Sequence, residues 1–212
     1  MKVALVAATG KIGLQIAKTL LARGHEVTAI VRSAGNLTAE LDGVSIVVAP
    51  LNDIDALAAA VRGHDALASA FGPAPGDTAS LSTTATALVA AARKAGIKRR
   101  IVVGGAGSLE VAPGLQLVDT PEFPAAYKDV ALAHRDALSI YQAANDLDWT
   151  FYSPAAQIGP GEKRGGYRTQ ASRFLADAQG KSAINYPDYA DAFVDEIEHS
   201  KYPRQVATAA YA

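Results

Sequence analysis

The sequence predicts an α/β fold: a doubly wound, mostly parallel sheet with helices on both faces. Two observations carry this. Short β-branched runs alternate with segments of helical apolar spacing along the whole chain, and a glycine-containing turn follows the first run directly. Repeats, low-complexity tracts and interdomain linkers are absent, so residues 1–212 are expected to form one domain.

The elements follow in order. Lys2 to Val6 is a first strand, and Ile12, Ile16 and Leu20 mark one face of a helix that stops at Gly24. Glu26 to Val31 is a second strand ending at Arg32. Val44 to Val48 is a third, followed by a helix from about Asp53 to Arg62. Asp65 to Ala70 is a fourth strand opening into the turn from Gly72 to Gly76. An alanine-rich helix spans about Ser80 to Ala95 and ends at Gly96, before a fifth strand over Arg100 to Val103. A loop runs from Gly104 to about Tyr127, then a helix to about Asn145 and a sixth strand from Trp149 to Ser153. The less regular tail holds a helix over Asp188 to His199 and a closing strand near Gln205 to Ala210.

The turn Ala7-Ala8-Thr9-Gly10-Lys11-Ile12-Gly13 has the layout that brings backbone N–H groups and a helix N-terminus to a pyrophosphate. Gly10 removes a side chain from the ligand's path, and Gly13 lets the helix pack close to the strand. Ala7 stands where the motif has its first glycine, and a glycine pair after an apolar run can also be a plain tight turn. Position 32 adds to the nucleotide reading. An NAD site places Asp or Glu at the end of the second strand for the ribose 2′-OH. Here Arg32 and Ser33 occupy that place, and the next carboxylate is Glu40. A guanidinium pairs with a 2′-phosphate and a hydroxyl adds a donor, so NADP(H) is favoured over NAD. A solvated arginine at a strand end is the plain alternative.

Half of the residues are hydrophobic, enough for one substantial core. Net charge is −1, which gives no basic surface for nucleic acid or anionic membrane. The absence of cysteine removes disulfides, thiolate metal sites and cysteine nucleophiles together, and no metal site is expected. No apolar run approaches the roughly 18 residues of a membrane span. A cytoplasmic monomer or homodimer acting on a small molecule is the resulting expectation.

Five stretches occur in family order: Ala7 to Gly13, Val31-Arg32, Ala70-Phe71-Gly72, Val103 to Ser108, and Ser153-Pro154-Ala155-Ala156. Together with the Val118-Asp119-Thr120-Pro121 loop they resemble the NmrA-like group of atypical short-chain dehydrogenase/reductases, NAD(P)H-binding proteins that include flavin reductases. The chain is more distantly similar to biliverdin reductase B. The resemblance implies a Rossmann fold, NADP(H) at the carboxyl ends of the strands, and hydride transfer to a flat acceptor, with free FMN or FAD among the candidates. It implies cofactor contacts at Ala7, Thr9, Gly10, Lys11, Ile12, Gly13, Arg32, Ser33, Ala70, Phe71, Gly72, Gly104 and Gly105. Ser153, Pro154 and Ala155 are implied at the nicotinamide carboxamide, with residues from about 154 to 212 completing the substrate side. Where the family often has an aspartate at the adenine, this chain has Pro50, which shifts that contact to the Leu51 backbone and the Asn52 side chain.

Catalytic residues are harder to assign. Short-chain dehydrogenases use tyrosine and lysine four apart, the lysine lowering the tyrosine pKa. No tyrosine here is followed by lysine at that spacing. His25, His64 and His199 fall between a helix and the next strand, on the far side of the sheet. His134 alone is placed to face the site. Tyr127 and Lys128 are candidates for shaping the pocket, and Ser108 for bonding substrate, although a glycine-rich loop also carries serine for turn reasons. The functions expected are an NADPH-dependent reductase of a flavin, quinone-like or other conjugated acceptor, or a non-catalytic NADP(H)-binding redox sensor acting on a partner protein. An epimerase or isomerase also lacks its tyrosine base.

Overall fold

The computed structural model describes residues 1–33 and 41–211, so Glu40 lies outside the described residues. The first half alternates β1 (Lys2–Val6), α1 (Lys11–Ala22), β2 (Glu26–Val31), β3 (Ser45–Val48), α2 (Ile54–Val61), β4 (Ala66–Ser69), α3 (Ala79–Ala95) and β5 (Arg99–Val103). The second half holds the small hairpin β6 (Glu110–Ala112) and β7 (Leu115–Gln116), then α4 (Lys128–Gln142) and β8 (Asp148–Pro154). It closes with β9 (Gln157–Gly159), β10 (Tyr167–Ala171), β11 (Ala183–Asn185), α5 (Tyr186–His199) and β12 (Gln205–Tyr211).

The main sheet runs in the order β3-β2-β1-β4-β5-β8-β12-β11-β9, with β10 paired to β12. The seven strands from β3 to β12 are mutually parallel, and β12 turns antiparallel against β10 and β11. This is the Rossmann arrangement expected. The chain winds outward from β1 to β3 and then returns to β4 beside β1. The crevice at that reversal, on the carboxyl ends, is where ligands of such sheets bind.

Strand alternation builds two cores. Val3 and Leu5 of β1 face Ile16 and Leu20 of α1 and Tyr189 and Phe193 of α5. Ala4 and Val6 point the other way, toward Leu57 of α2, Leu88 of α3 and Leu138 of α4. Burying each of the large side chains contributes about 1.5–3 kcal/mol. Helix ends follow local chemistry: the Asp53 carboxylate caps α2 by accepting from Ala56 N at 2.9 Å. Gly96 ends α3 in the left-handed conformation, φ +77°. Among the described residues no helix is long and apolar enough to cross a membrane.

The expected elements all form, with shifts of a few residues at their ends. The differences lie in what the loop and tail add. The stretch from Gly104 to Tyr127 contains the β6–β7 hairpin and three short 3₁₀ turns, and the tail contributes β9, β10 and β11.

Arg99 and Arg100 open β5 and are both buried. Arg99 Nη2 donates to Glu196 Oε1 at 2.8 Å and Nη1 to Thr150 Oγ1 at 2.8 Å, tying β5 and β8 to α5. Glu196 Oε1 also accepts from Thr150 Oγ1 and from Tyr202 N. A buried pair of this kind is costly to break, because the remaining charge has no water to turn to. Glu196→Ala is expected to lower unfolding free energy by about 3–5 kcal/mol in urea denaturation. A loss below about 1 kcal/mol would show that Arg99 finds another partner.

Candidate active site

The site begins at the β1–α1 turn. Ala7 has φ +60°, the left-handed region that glycine occupies at least cost, which is why glycine is usual there. Alanine tolerates it for about 1–2 kcal/mol, so the departure from the motif is conformational and leaves the turn intact. Gly10 N donates to the Ala7 carbonyl at 3.1 Å, closing the turn. Gly10 itself is the N-cap of α1, with no side-chain cap on the helix and no acidic residue in its first turn. The N–H groups of that turn therefore keep their partial positive charge for a ligand.

The two glycines do different work. A Cβ on Gly13 would sit 2.1 Å from the Ala7 carbonyl oxygen, so its lack of a side chain is what lets α1 dock on β1. Gly10 has an ordinary φ of −76°, and a Cβ there would meet nothing nearer than 3.5 Å. Protein packing does not require glycine at position 10. The constraint comes from whatever occupies the cleft beside it, which is the fit expected for a pyrophosphate.

That cleft has a volume of about 920 Å³. Ala7, Thr9, Gly10, Lys11 and Ile12 form its floor, Arg32, Ser33 and Leu51 one end, and Ala70, Phe71 and Gly72 the wall from β4. Arg32 and Ser33 are exposed at the end of β2. Eleven residues expected at the cofactor thus line one cleft, while Gly13 packs behind the turn and the exposed Asn52 does not line it.

A second cavity of about 1430 Å³ adjoins it, and Ile158 lines both. Gly104, Gly105, Pro154 and Ala155 line this second cavity and not the first. The glycine run is shaped by packing: a Cβ on Gly104 would lie 2.2 Å from the Phe151 ring, and one on Gly105 2.9 Å from His134 Cγ. Leu117, Phe123, Pro124, Val130 and Ile184 give the cavity apolar walls.

The candidate catalytic residues separate here. Tyr127 is exposed and lines the second cavity, and so does His134. Burial pushes the His134 imidazole down to about 4, so the ring is uncharged near neutral pH. Its Nδ1 is buried without a partner, and the ring stands edge-on to Phe151 with centroids 6.2 Å apart. Desolvation thus disfavours the charged form that an acid role for His134 near neutral pH would need. The expectation for Ser108 is corrected. It is buried, its hydroxyl has no partner, and it lines neither cavity. Ser153 is buried as well and donates to the Gly105 carbonyl at 3.0 Å, a bond that fixes the glycine loop. Lys128 begins α4 outside the cavity lining.

Sequence reasoning placed the far wall only within residues 154 to 212 and did not single out residues 159–164 with Asn185 and Tyr211, which form it. The glycines and proline of that stretch signal a loop, but nothing in their order shows which cavity the loop borders. Among the described residues, Asp195, Glu198 and His199 are spaced for a metal ion. Both carboxylates are already bound to Arg23, at 2.6 and 2.7 Å, and Glu198 also to His25.

An unencumbered helix N-terminus at a topological switch point, with a wide cavity beside it, defines a dinucleotide-binding α/β protein. The NAD(P)H-binding family model matches residues 7–200, and the chain belongs to that family. It is similar to YwnB of Bacillus subtilis, an uncharacterized protein, at 38% identity over 208 residues, 97% of this chain and 96% of that one. Among solved structures it is similar to the "putative exported protein" of Burkholderia pseudomallei, at 54% identity with a TM-score of 0.93, covering 100% of both chains. It is also similar to SP1627, a "putative NADH-flavin reductase" of Streptococcus pneumoniae, at 35% identity with a TM-score of 0.90, again over 100% of both chains.

The two glycines can be told apart by substitution. Gly10→Ala is expected to keep the parent's thermal midpoint while losing roughly tenfold or more in nicotinamide-dinucleotide affinity by calorimetry, the scale of losing one charge-assisted contact. Gly13→Ala is expected to lower the thermal midpoint itself. Equal affinity in Gly10→Ala and parent would remove the pyrophosphate from this turn.

Proposed function

We propose that the protein is an NADPH-dependent reductase that passes hydride to a flavin, quinone-like or other conjugated acceptor. One observation carries the reading: the cleft at the α1 N-terminus and a larger, mostly apolar cavity share Ile158, so a dinucleotide lying in the cleft with its nicotinamide at Pro154 to Ile158 would leave the rest of the larger cavity for a second molecule. That spare volume also favours a reductase over a regulator that only senses its cofactor. The family and the streptococcal neighbour support a nicotinamide-dependent oxidoreductase.

Bound NADPH supplies the hydride. The chain's own residues do the rest. The α1 N-terminus receives the pyrophosphate, and Arg32 with Ser33 takes the 2′-phosphate. Leu51 and Phe71 offer apolar surface at the adenosine end, while Pro154 to Ile158 border the nicotinamide end. The walls from Phe123, Val130 and Ile184 exclude water and hold a flat ring in place, which supplies most of what such a transfer needs. His134, neutral, offers a hydrogen bond and no charge. The closing proton comes from solvent, so the missing tyrosine–lysine pair is no obstacle.

Titrating the protein with NADPH and following absorbance at 340 nm with added flavin tests the reading. Cofactor binding with acceptor-dependent oxidation is expected, and binding without turnover over a panel of flavins and quinones would favour the sensor. Arg32→Asp is expected to weaken NADPH binding by one to two decades, about 1.5–3 kcal/mol, and to favour NADH weakly. Unchanged NADPH affinity would make Arg32 a surface residue. His134→Ala is expected to lower turnover roughly tenfold, less than the roughly 10²–10⁴-fold of a general acid or base because only a hydrogen bond to the acceptor is lost, with NADPH affinity retained. The parent's rate should show no limb assignable to His134 between pH 6 and 8, since its proton is already lost below that range. A limb there that vanishes in His134→Ala would contradict the neutral ring.

A further inference from the structure

The loop over residues 160–166 forms one wall of the second cavity and is tied down from beneath. The buried Asp188, in the first turn of α5, accepts from Arg164 N at 3.1 Å, from Gly165 N at 2.9 Å and from Tyr211 Oη at 2.5 Å. Burial pushes the Asp188 carboxyl up, but these hydrogen bonds outweigh it and hold the group below the usual carboxylate range. Asn185 Nδ2 also donates to the Glu162 carbonyl. Gly165 and Gly166 follow at φ +67° and +68°, turning the chain away immediately after Arg164.

The consequence is a cation whose backbone is fixed and whose exposed guanidinium packs on a ring. The Arg164 guanidinium carbon lies 3.8 Å from the centroid of the Tyr211 ring, and both residues line the cavity. Among the described residues no carboxylate forms an ion pair with the Arg164 guanidinium, whereas neighbouring Lys163 is paired with Asp191 at 2.9 Å. Asp188 is not available as its partner, because backbone N–H groups and the tyrosine hydroxyl take its oxygens. Glu122 and Glu162 line the cavity too; both are exposed, and among the described residues neither side chain has a hydrogen bond or ring contact to hold it there. A charge held in position adds to binding, and one that must first be ordered adds less. Arg164 does not line the cleft at the α1 N-terminus and Arg32, where the cofactor's phosphates are proposed to sit.

We propose that Arg164, held on the Tyr211 ring by the Asp188-anchored loop, selects acceptors that carry an anionic group, a phosphate or carboxylate, beside their conjugated ring. The proposal rests on the reductase reading and adds the acceptor's charge to it.

FMN and riboflavin share one ring system and differ by a phosphate, which makes them the probes. The ratio of their kcat/KM values is read in the parent, in Arg164→Gln and in Arg164→Lys, alongside flavin-fluorescence titrations without NADPH. The parent is expected to favour FMN about tenfold, with the preference lost in Arg164→Gln and partly restored in Arg164→Lys. A parent without preference for FMN, or the same ratio in parent and Arg164→Gln, overturns the proposal. If neither flavin is reduced while the titrations still show an FMN preference that depends on Arg164, the reductase reading fails and the anion site stands. If neither flavin binds, the anion site fails for this acceptor class whatever turnover other acceptors show.

Discussion

The rest of the structure depends on the close approach of α1 to β1. With no side chain at Gly13, the helix start rests against the Ala7 carbonyl, where an added Cβ would be 2.1 Å away. That contact aims the helix N-terminus along the carboxyl edge of the sheet. It also places Gly10 at the mouth of the crevice between β1 and β4. The Ala7 φ of +60° is the local cost of making the bend without a glycine, and it is small against the burial of Ile16 and Leu20 that the docking allows.

From that anchor the site extends in two directions by different means. Toward Arg32 it is built from strand ends, rigid and set by the parallel register of β1 with β2 and β4. Toward the second cavity it is built from loops, each fastened by buried groups. Ser153 holds the glycine loop through the Gly105 carbonyl, and Asp188 holds residues 164 and 165 through their N–H groups. Strand ends make a rigid edge, and loops tolerate changes of sequence that such an edge does not. Ile158 joins the two parts by lining both cavities, and His134 packs under Gly105, where an added Cβ would lie 2.9 Å from its ring.

What the sequence made legible follows the same division. Periodicity located the strands and helices of the doubly wound core because each obeys a local rule. The glycine turn and Arg32 were legible as one cleft because the residues that line it lie close together in the chain. The strands Gln157–Gly159 and Ala183–Asn185 are three residues long and show no period, so they were not legible. The burial of Arg99 and Arg100 was hidden for a related reason: their surroundings, Glu196, Thr150 and Tyr141, come from elements far away in sequence. Ser108 misled because a serine in a glycine run looks the same whether its hydroxyl faces a ligand or the interior.

The most direct test of the account is a crystal structure of the protein with NADPH. The account predicts the pyrophosphate on the N–H groups at the start of α1, the 2′-phosphate within hydrogen-bond reach of Arg32 and Ser33, and the nicotinamide at Ile158 facing the second cavity. A nucleotide seated elsewhere, or one whose nicotinamide turns away from Ile158 and leaves the second cavity unconnected to it, would contradict it.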